Sequence, residues 1–169
     1  MTIDKYALCP GGTGKKIKFC CSDLTHEIEK AERMRAADQR QGCLEYLELL
    51  EKKHPDRLCI CTLKAEVLRD LGRADEAQQA LSGILERDGD NPTALAESAL
   101  LALDKDPSRD GVCKAIDLLQ SAIDAAADQW PDVFLDAFVQ IGTAALRQGM
   151  LPACQGGGGS TTETGANPP

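Results

Sequence analysis

Aromatic residues are scarce in this chain: one Trp, two Tyr and three Phe among 169 residues, only 4%. Ala and Leu abound instead, and that bias favours helices over sheets. Long apolar runs are missing as well. No stretch approaches the roughly 18 residues of a membrane-spanning helix, and the opening "MTIDKYALCPGG" has neither the basic start nor the apolar core of a secretory signal. These absences place the protein in the cytoplasm, where cysteines usually stay reduced. Its eight cysteines therefore read as core residues or metal ligands before they read as disulfides. Histidine is limited to His26 and His54. Neither joins a Ser-His-Asp or Cys-His-Asp set; His54, in "KKHPD", reads as a solvated turn residue. Carboxylates such as Glu45, Glu48, Asp75 and Glu76 follow helix-surface patterns. The expectation is a protein that is not an enzyme.

What is present is a globular composition, 43% hydrophobic and 27% charged, with charge unevenly placed. In residues 1–21 four lysines face Asp4, leaving +3, so the remainder carries −11 of the net −8. A basic N-terminal element is joined to an acidic body that should repel nucleic acid.

The body is organised by helical period and punctuation. Ile60, Leu63, Val67, Leu68 and Leu71 recur at helical spacing and stop at Gly72. After "GRAD" comes Ala77, Ala80, Leu81, Ile84 and Leu85, which runs out at "RDGDNP". Two short helices around a tight turn make a hairpin. Cys43, Tyr46, Leu47 and Leu50 form an earlier stripe. Leu95 to Leu103, then Val112, Ile116, Leu119 and Ile123 after "DKDPSRDG", form a later pair. Phe134, Phe138, Ile141 and Ala145 form a last stripe, closed by "RQGMLPA".

The segment "LKAEVLRDLGRADEAQQAL", residues 63 to 81, resembles a tetratricopeptide repeat (TPR). Ala65 and Ala77 occupy the family's small places, Leu81 the later large apolar place and Gly72 the turn; Pro55 and Pro92 lie 37 residues apart against a family period of 34. The resemblance covers residues 22 to 154, strongly in one unit and more weakly in the others. It implies an all-α fold of antiparallel helical hairpins stacked as a TPR-like right-handed solenoid. An ordinary antiparallel bundle would show the same stripes.

The stretch "CPGGTGKKIKFCC", Cys9 to Cys21, fails as a phosphate loop. Cys9 stands where the first glycine belongs and Lys16 where the hydroxyl belongs. It resembles the SEC-C motif, a small zinc-binding element with the pattern Cys-x-Cys, eight residues, then Cys-Cys or Cys-His around a Gly-Ser/Thr-Gly-Lys-Lys core. Cys9, Cys20 and Cys21 match three ligand places and "GTGKK" the core, while Gly11 occupies the place of the second cysteine. Structural zinc takes four protein ligands, so His26, a water molecule or a second chain would have to complete the site. The other outcome is an element that has lost its metal and keeps its shape through glycine turns and helix packing. Cys59 and Cys61, two residues apart on a helix, point about 200° away from each other and cannot chelate one ion together. Cys43, Cys61 and Cys113 read as small hydrophobes on apolar stripes, and Cys154 as the small residue of a next repeat.

The domain plan is thus a knuckle at 1–22, helical repeats at 23–154 with the last repeat truncated, and a flexible Gly-rich tail at 155–169. A protein-interaction scaffold follows, taking a peptide or partner helix. The family register would turn Glu32, Arg35, Thr62, Glu66, Arg69 and Arg147 toward the groove. An uncovered last stripe with Phe134 and Phe138 would bind a partner or a second copy. The alternative is a basic knuckle docking on RNA, the ribosome or a nucleic-acid-bound partner through Lys15, Lys16 and Lys18.

Overall fold

The computed structural model describes residues 3–150; the Gly-rich tail and Cys154 lie outside the described residues. Among these the chain forms eight α-helices and no strand, and its single β-bridge, Leu8 to Lys16, closes the N-terminal knuckle. The elements are α1 (Ile17–Cys20), a 3-10 turn (Ser22–Leu24), α2 (Thr25–Ala36), α3 (Arg40–Lys53), α4 (Leu58–Asp70), α5 (Ala74–Leu85), α6 (Pro92–Lys105), α7 (Arg109–Ala126) and α8 (Val133–Arg147). No helix is long and apolar enough to cross a membrane.

Chain punctuation sets the helix ends. Gly72 takes the left-handed conformation with φ +72°, and its amide donates to Arg69 O while that of Arg73 donates to Leu68 O, both at 2.9 Å. This pair of bonds satisfies carbonyls the helix end leaves free. Asp38, φ +58°, ends α2 the same way, with its own amide on Arg35 O and that of Gln39 on Met34 O. Residues 38 and 72 are 34 positions apart, the period of the repeat family. Helix starts at 25, 58 and 92 give steps of 33 and 34, and the next start at 133 gives 41. The extra length lies in the 18-residue α7 and in "DKDPSRDG", where α6 ends on an extended Asp106 before Pro107.

Each of the helices α2 to α8 packs on the next, and α2 also meets α4, α4 meets α6 and α6 meets α8. The even-numbered helices therefore form a continuous row. This packing is compatible with a helical-repeat solenoid. A large apolar core runs from the knuckle through α5, with Cys9, Ile17 and Cys21 in it, and two smaller clusters hold α6, α7 and α8 together.

Ala65 and Ala77 are buried, as their small-residue places require. In α7 the buried face is Val112, Ala115, Leu119 and Ala122, while Ile116, expected on the stripe, is 39% exposed and Cys113 is exposed. The reason is close approach. Buried alanines Ala96 and Ala99 of α6 call for small partners, so the alanines of α7 set the contact face.

Candidate metal centre and interaction groove

The knuckle is a tight loop fastened by its backbone. The amide of Cys9 donates to Lys15 O at 2.8 Å, that of Gly12 to Cys9 O at 3.1 Å and that of Ile17 to Ala7 O at 3.0 Å. These bonds bring Cys9 back beside Cys20 and Cys21, whose three sulfurs all lie within 4.8 Å of one another. Cys9 and Cys21 are buried with their sulfurs 3.3 Å apart, and the Thr13 hydroxyl donates to Cys20 Sγ at 3.3 Å. Three soft, clustered thiols behind a hydrogen-bond donor suit a thiophilic ion such as zinc. His26, named from sequence as a fourth ligand, stands exposed in the first turn of α2 and is not part of this group.

The knuckle sits on the starts of α4 and α6. Asn91 at the head of α6 is fully buried; its Oδ1 accepts from Ala94 N at 3.0 Å and its Nδ2 donates to Gly11 O at 2.9 Å. Arg57, at the head of α4, donates to Asp23 Oδ1 at 2.7 Å, to Asp23 Oδ2 at 3.0 Å and to Cys20 O at 3.2 Å. The Asp23 carboxyl is held below its ordinary range by these Arg57 bonds. The first turn of α4 also carries Cys59, which is buried next to the knuckle thiols. The neighbouring Cys21 and then Cys9 thiols draw the Cys59 thiol well below its usual range, and Cys59 and Cys9 in turn push Cys21 up. Cys43 donates to Ala31 O at 3.4 Å, and Cys61 lies 3.9 Å from Glu51; both stay in the core, as small hydrophobes do.

The second feature is a groove of about 690 Å³ walled by the knuckle and by α2, α4, α6 and the start of α8. Of the groove-facing residues named from sequence, Glu32, Arg35, Glu66 and Arg69 line it. Thr62 does not. It is fully buried and its hydroxyl donates to Leu58 O at 2.9 Å, the back-bond a threonine makes inside a helix. Arg147 is exposed at the end of α8, away from the groove lining. Phe134 is buried in the core, so it supports α8 from beneath and leaves Phe138, 39% exposed, on the surface.

Arg35 donates to Glu66 at 2.5 Å and to Asp70 at 3.2 Å, and lies 3.6 Å from Glu32; Arg69 donates to Glu97 at 3.1 Å and lies 3.6 Å from Asp104. Burial, with Glu97 close by, pushes the Glu66 carboxyl up to about 8, and burial likewise raises Glu97. Arg35 Nε and Thr93 Oγ1, both on the lining, are buried without a hydrogen-bond partner among the described residues. Thr93 and Glu97, one turn apart on α6, carry no motif that marks them in the sequence. Only the helical register, continued from α4 to α6, would have found them.

On the basic side, Lys15 and Lys16 are exposed, and Lys18 Nζ lies 4.1 Å from the Tyr6 ring centre and 4.5 Å from that of Phe19.

No protein-family model matches the chain and no solved structure matches it. It is 38% identical over 58 residues to N-alpha-acetyltransferase 16, NatA auxiliary subunit, of Homo sapiens. The aligned segment is 34% of this chain and spans 7% of that protein's length.

Proposed function

We propose that this protein is a non-enzymatic interaction scaffold, a TPR-like right-handed solenoid whose groove takes a basic peptide segment. The observation that carries the reading is the groove lining. Asp4, Glu29, Glu32, Asp132 and Asp136 outnumber Arg33, Arg35 and Arg69 there even with the raised carboxyls of Glu66 and Glu97 left out. Two lining polar atoms, Arg35 Nε and Thr93 Oγ1, are also left for a ligand to satisfy. An excess of carboxylates favours cationic side chains, and unpaired buried polar groups reward a ligand that pairs them. Similarity to a protein named as an auxiliary subunit supports a role beside a partner. The test is anisotropy with a labelled Lys/Arg-rich peptide and its Glu-rich counterpart. Binding of the basic peptide alone, weakened at least about tenfold by Glu29→Lys with Asp136→Lys, is expected; equal binding of both peptides, or of neither, refutes it. The exposed face of α8, with Leu135, Phe138, Val139 and Leu146, is where a second copy of the chain would pack.

A second reading has its own observation. Tyr6 and Phe19 are 52% and 72% exposed beside Lys15, Lys16 and Lys18, a pairing of stacking rings with phosphate-seeking cations suited to single-stranded RNA. An RNA shift assay at two salt concentrations tests it: retardation that weakens with salt and is lost with Lys15→Glu and Lys16→Glu supports the knuckle.

A further inference from the structure

We propose that Cys59 is the fourth ligand of a four-cysteine zinc site with Cys9, Cys20 and Cys21, so that a helix of the array supplies the thiolate the knuckle itself lacks. The argument begins at Gly11, the position two residues after Cys9. A Cβ there would lie 2.6 Å from Cys59 N and 3.0 Å from both the carbonyl carbon and the Cβ of Leu58. Backbone of α4 fills the space that any side chain at position 11 would need. A thiol therefore cannot come from the loop at this point, and the helix that crowds it out carries a cysteine of its own.

Cys59 is 2% exposed, and its backbone stands directly against Gly11, two residues from Cys9, just outside the group of three sulfurs that it would complete. Tetrahedral zinc with bonds of about 2.3 Å sets its sulfurs about 3.8 Å apart. The Cys9 to Cys21 separation of 3.3 Å and the 4.8 Å limit on the triad bracket that spacing. Cys59 also sits in the first turn of α4, where the helix dipole favours a thiolate.

The surroundings hold both halves of the site in register. Asn91 fixes Gly11 O, Arg57 fixes Cys20 O, and Thr13 Oγ1 donates to Cys20 Sγ. Hydrogen bonds to ligand sulfurs of this kind orient and tune a metal's ligands. Four protein thiolates leave no open position, which makes the site structural. Its effect is to fasten residue 9 to residue 59 across the interface between knuckle and repeats. Cys61, two residues further on α4, is turned about 200° away and lies beside Glu51, which makes it the control.

The test is X-ray absorption at the zinc edge, with elemental analysis, on the full chain purified from zinc-supplemented medium. The expected result is one zinc per chain with four sulfurs in its first shell. Cys59→Ser should weaken Zn²⁺ at least about 100-fold or leave three sulfurs and one lighter atom, whereas Cys61→Ser and His26→Ala should keep four sulfurs. The unmutated chain decides the matter even if Cys59→Ser folds poorly. A wild-type shell of three sulfurs with a nitrogen or oxygen, one zinc shared by two chains, a nitrogen lost with His26→Ala, or no retained zinc each overturns the proposal.

Discussion

The two ends of the helix row are finished differently. At the N-terminal end the knuckle lies on α2, α4 and α6 and joins the largest core of the molecule, burying Cys9, Ile17 and Cys21. At the C-terminal end α8 has α7 and α6 on one side, while Leu135, Val139 and Leu146 are 72%, 60% and 59% exposed. Stacked repeats bury each unit on its neighbours, so the outermost units need a cover with a polar outer face. The contrast teaches that the glycine- and cysteine-rich loop is seated along the starts of α4 and α6, whereas α8 has no comparable cover among the described residues.

The largest expected effect breaks the weaker end. Phe134 is buried and packs edge-on against Trp130 and Phe138 at ring distances of 5.8 and 6.4 Å. Phe134→Ala should cost about 3–5 kcal/mol in chemical denaturation. Hydrogen exchange should rise first in α7 and α8, with α2 to α5 staying protected; a uniform loss along the chain would erase the comparison.

Asn91→Ala comes next and acts on both ends of one bond network. It removes the α6 cap, worth about 1 kcal/mol, and leaves the Gly11 carbonyl unpaired for about 1–3 kcal/mol. Exchange should quicken together at the knuckle and at residues 93–95. Quickening at α6 alone would show that the cap does not lean on that residue.

Glu66 sharpens the comparison through pH. Its carboxyl titrates at about 8 in the fold against an ordinary 4.5, so between those values the native state holds a proton that the unfolded chain has released. Stability from this group is present below about 4.5 and is lost as pH rises through about 8, with a slope no steeper than about 1.4 kcal/mol per pH unit for one proton. Glu66→Gln should flatten that slope in melting curves taken from pH 5 to 8.5. An unchanged slope would assign it to another group.

The smallest effect on stability is expected of Phe138→Asp, since that ring is 39% exposed and stacks on an exposed Trp130. Melting should move little, while sedimentation should show less self-association. A wild-type chain that is monomeric at high concentration removes α8 as a contact between copies.

How far the sequence could be read depended on the range of the signal. Apolar period and the turn at Gly72 placed α4, α5 and α8 closely, because those signals are local. The steps of 33 and 34 residues were hidden behind irregular loop lengths, and Pro55 to Pro92 gave 37 instead. At the candidate metal centre the three clustered thiols were legible as a spaced motif. The role proposed for Cys59 was not, because the cysteine pair on its own helix points attention to Cys61. Gly11 held the missing clue, but the close approach of α4 that forbids a side chain there exists only in three dimensions. Glu66 and Arg69 were found from family register, whereas Thr93 needed that register carried on from α4 to α6.

The bond from Asn91 to Gly11 spans 80 positions in the chain. During synthesis at about 5–20 residues per second, Gly11 is made roughly 4–16 s before its partner. For that interval the knuckle has no seat on α6. An element made before α6 is thus fixed only when α6 arrives, and its exposure until then is set by the clock of translation.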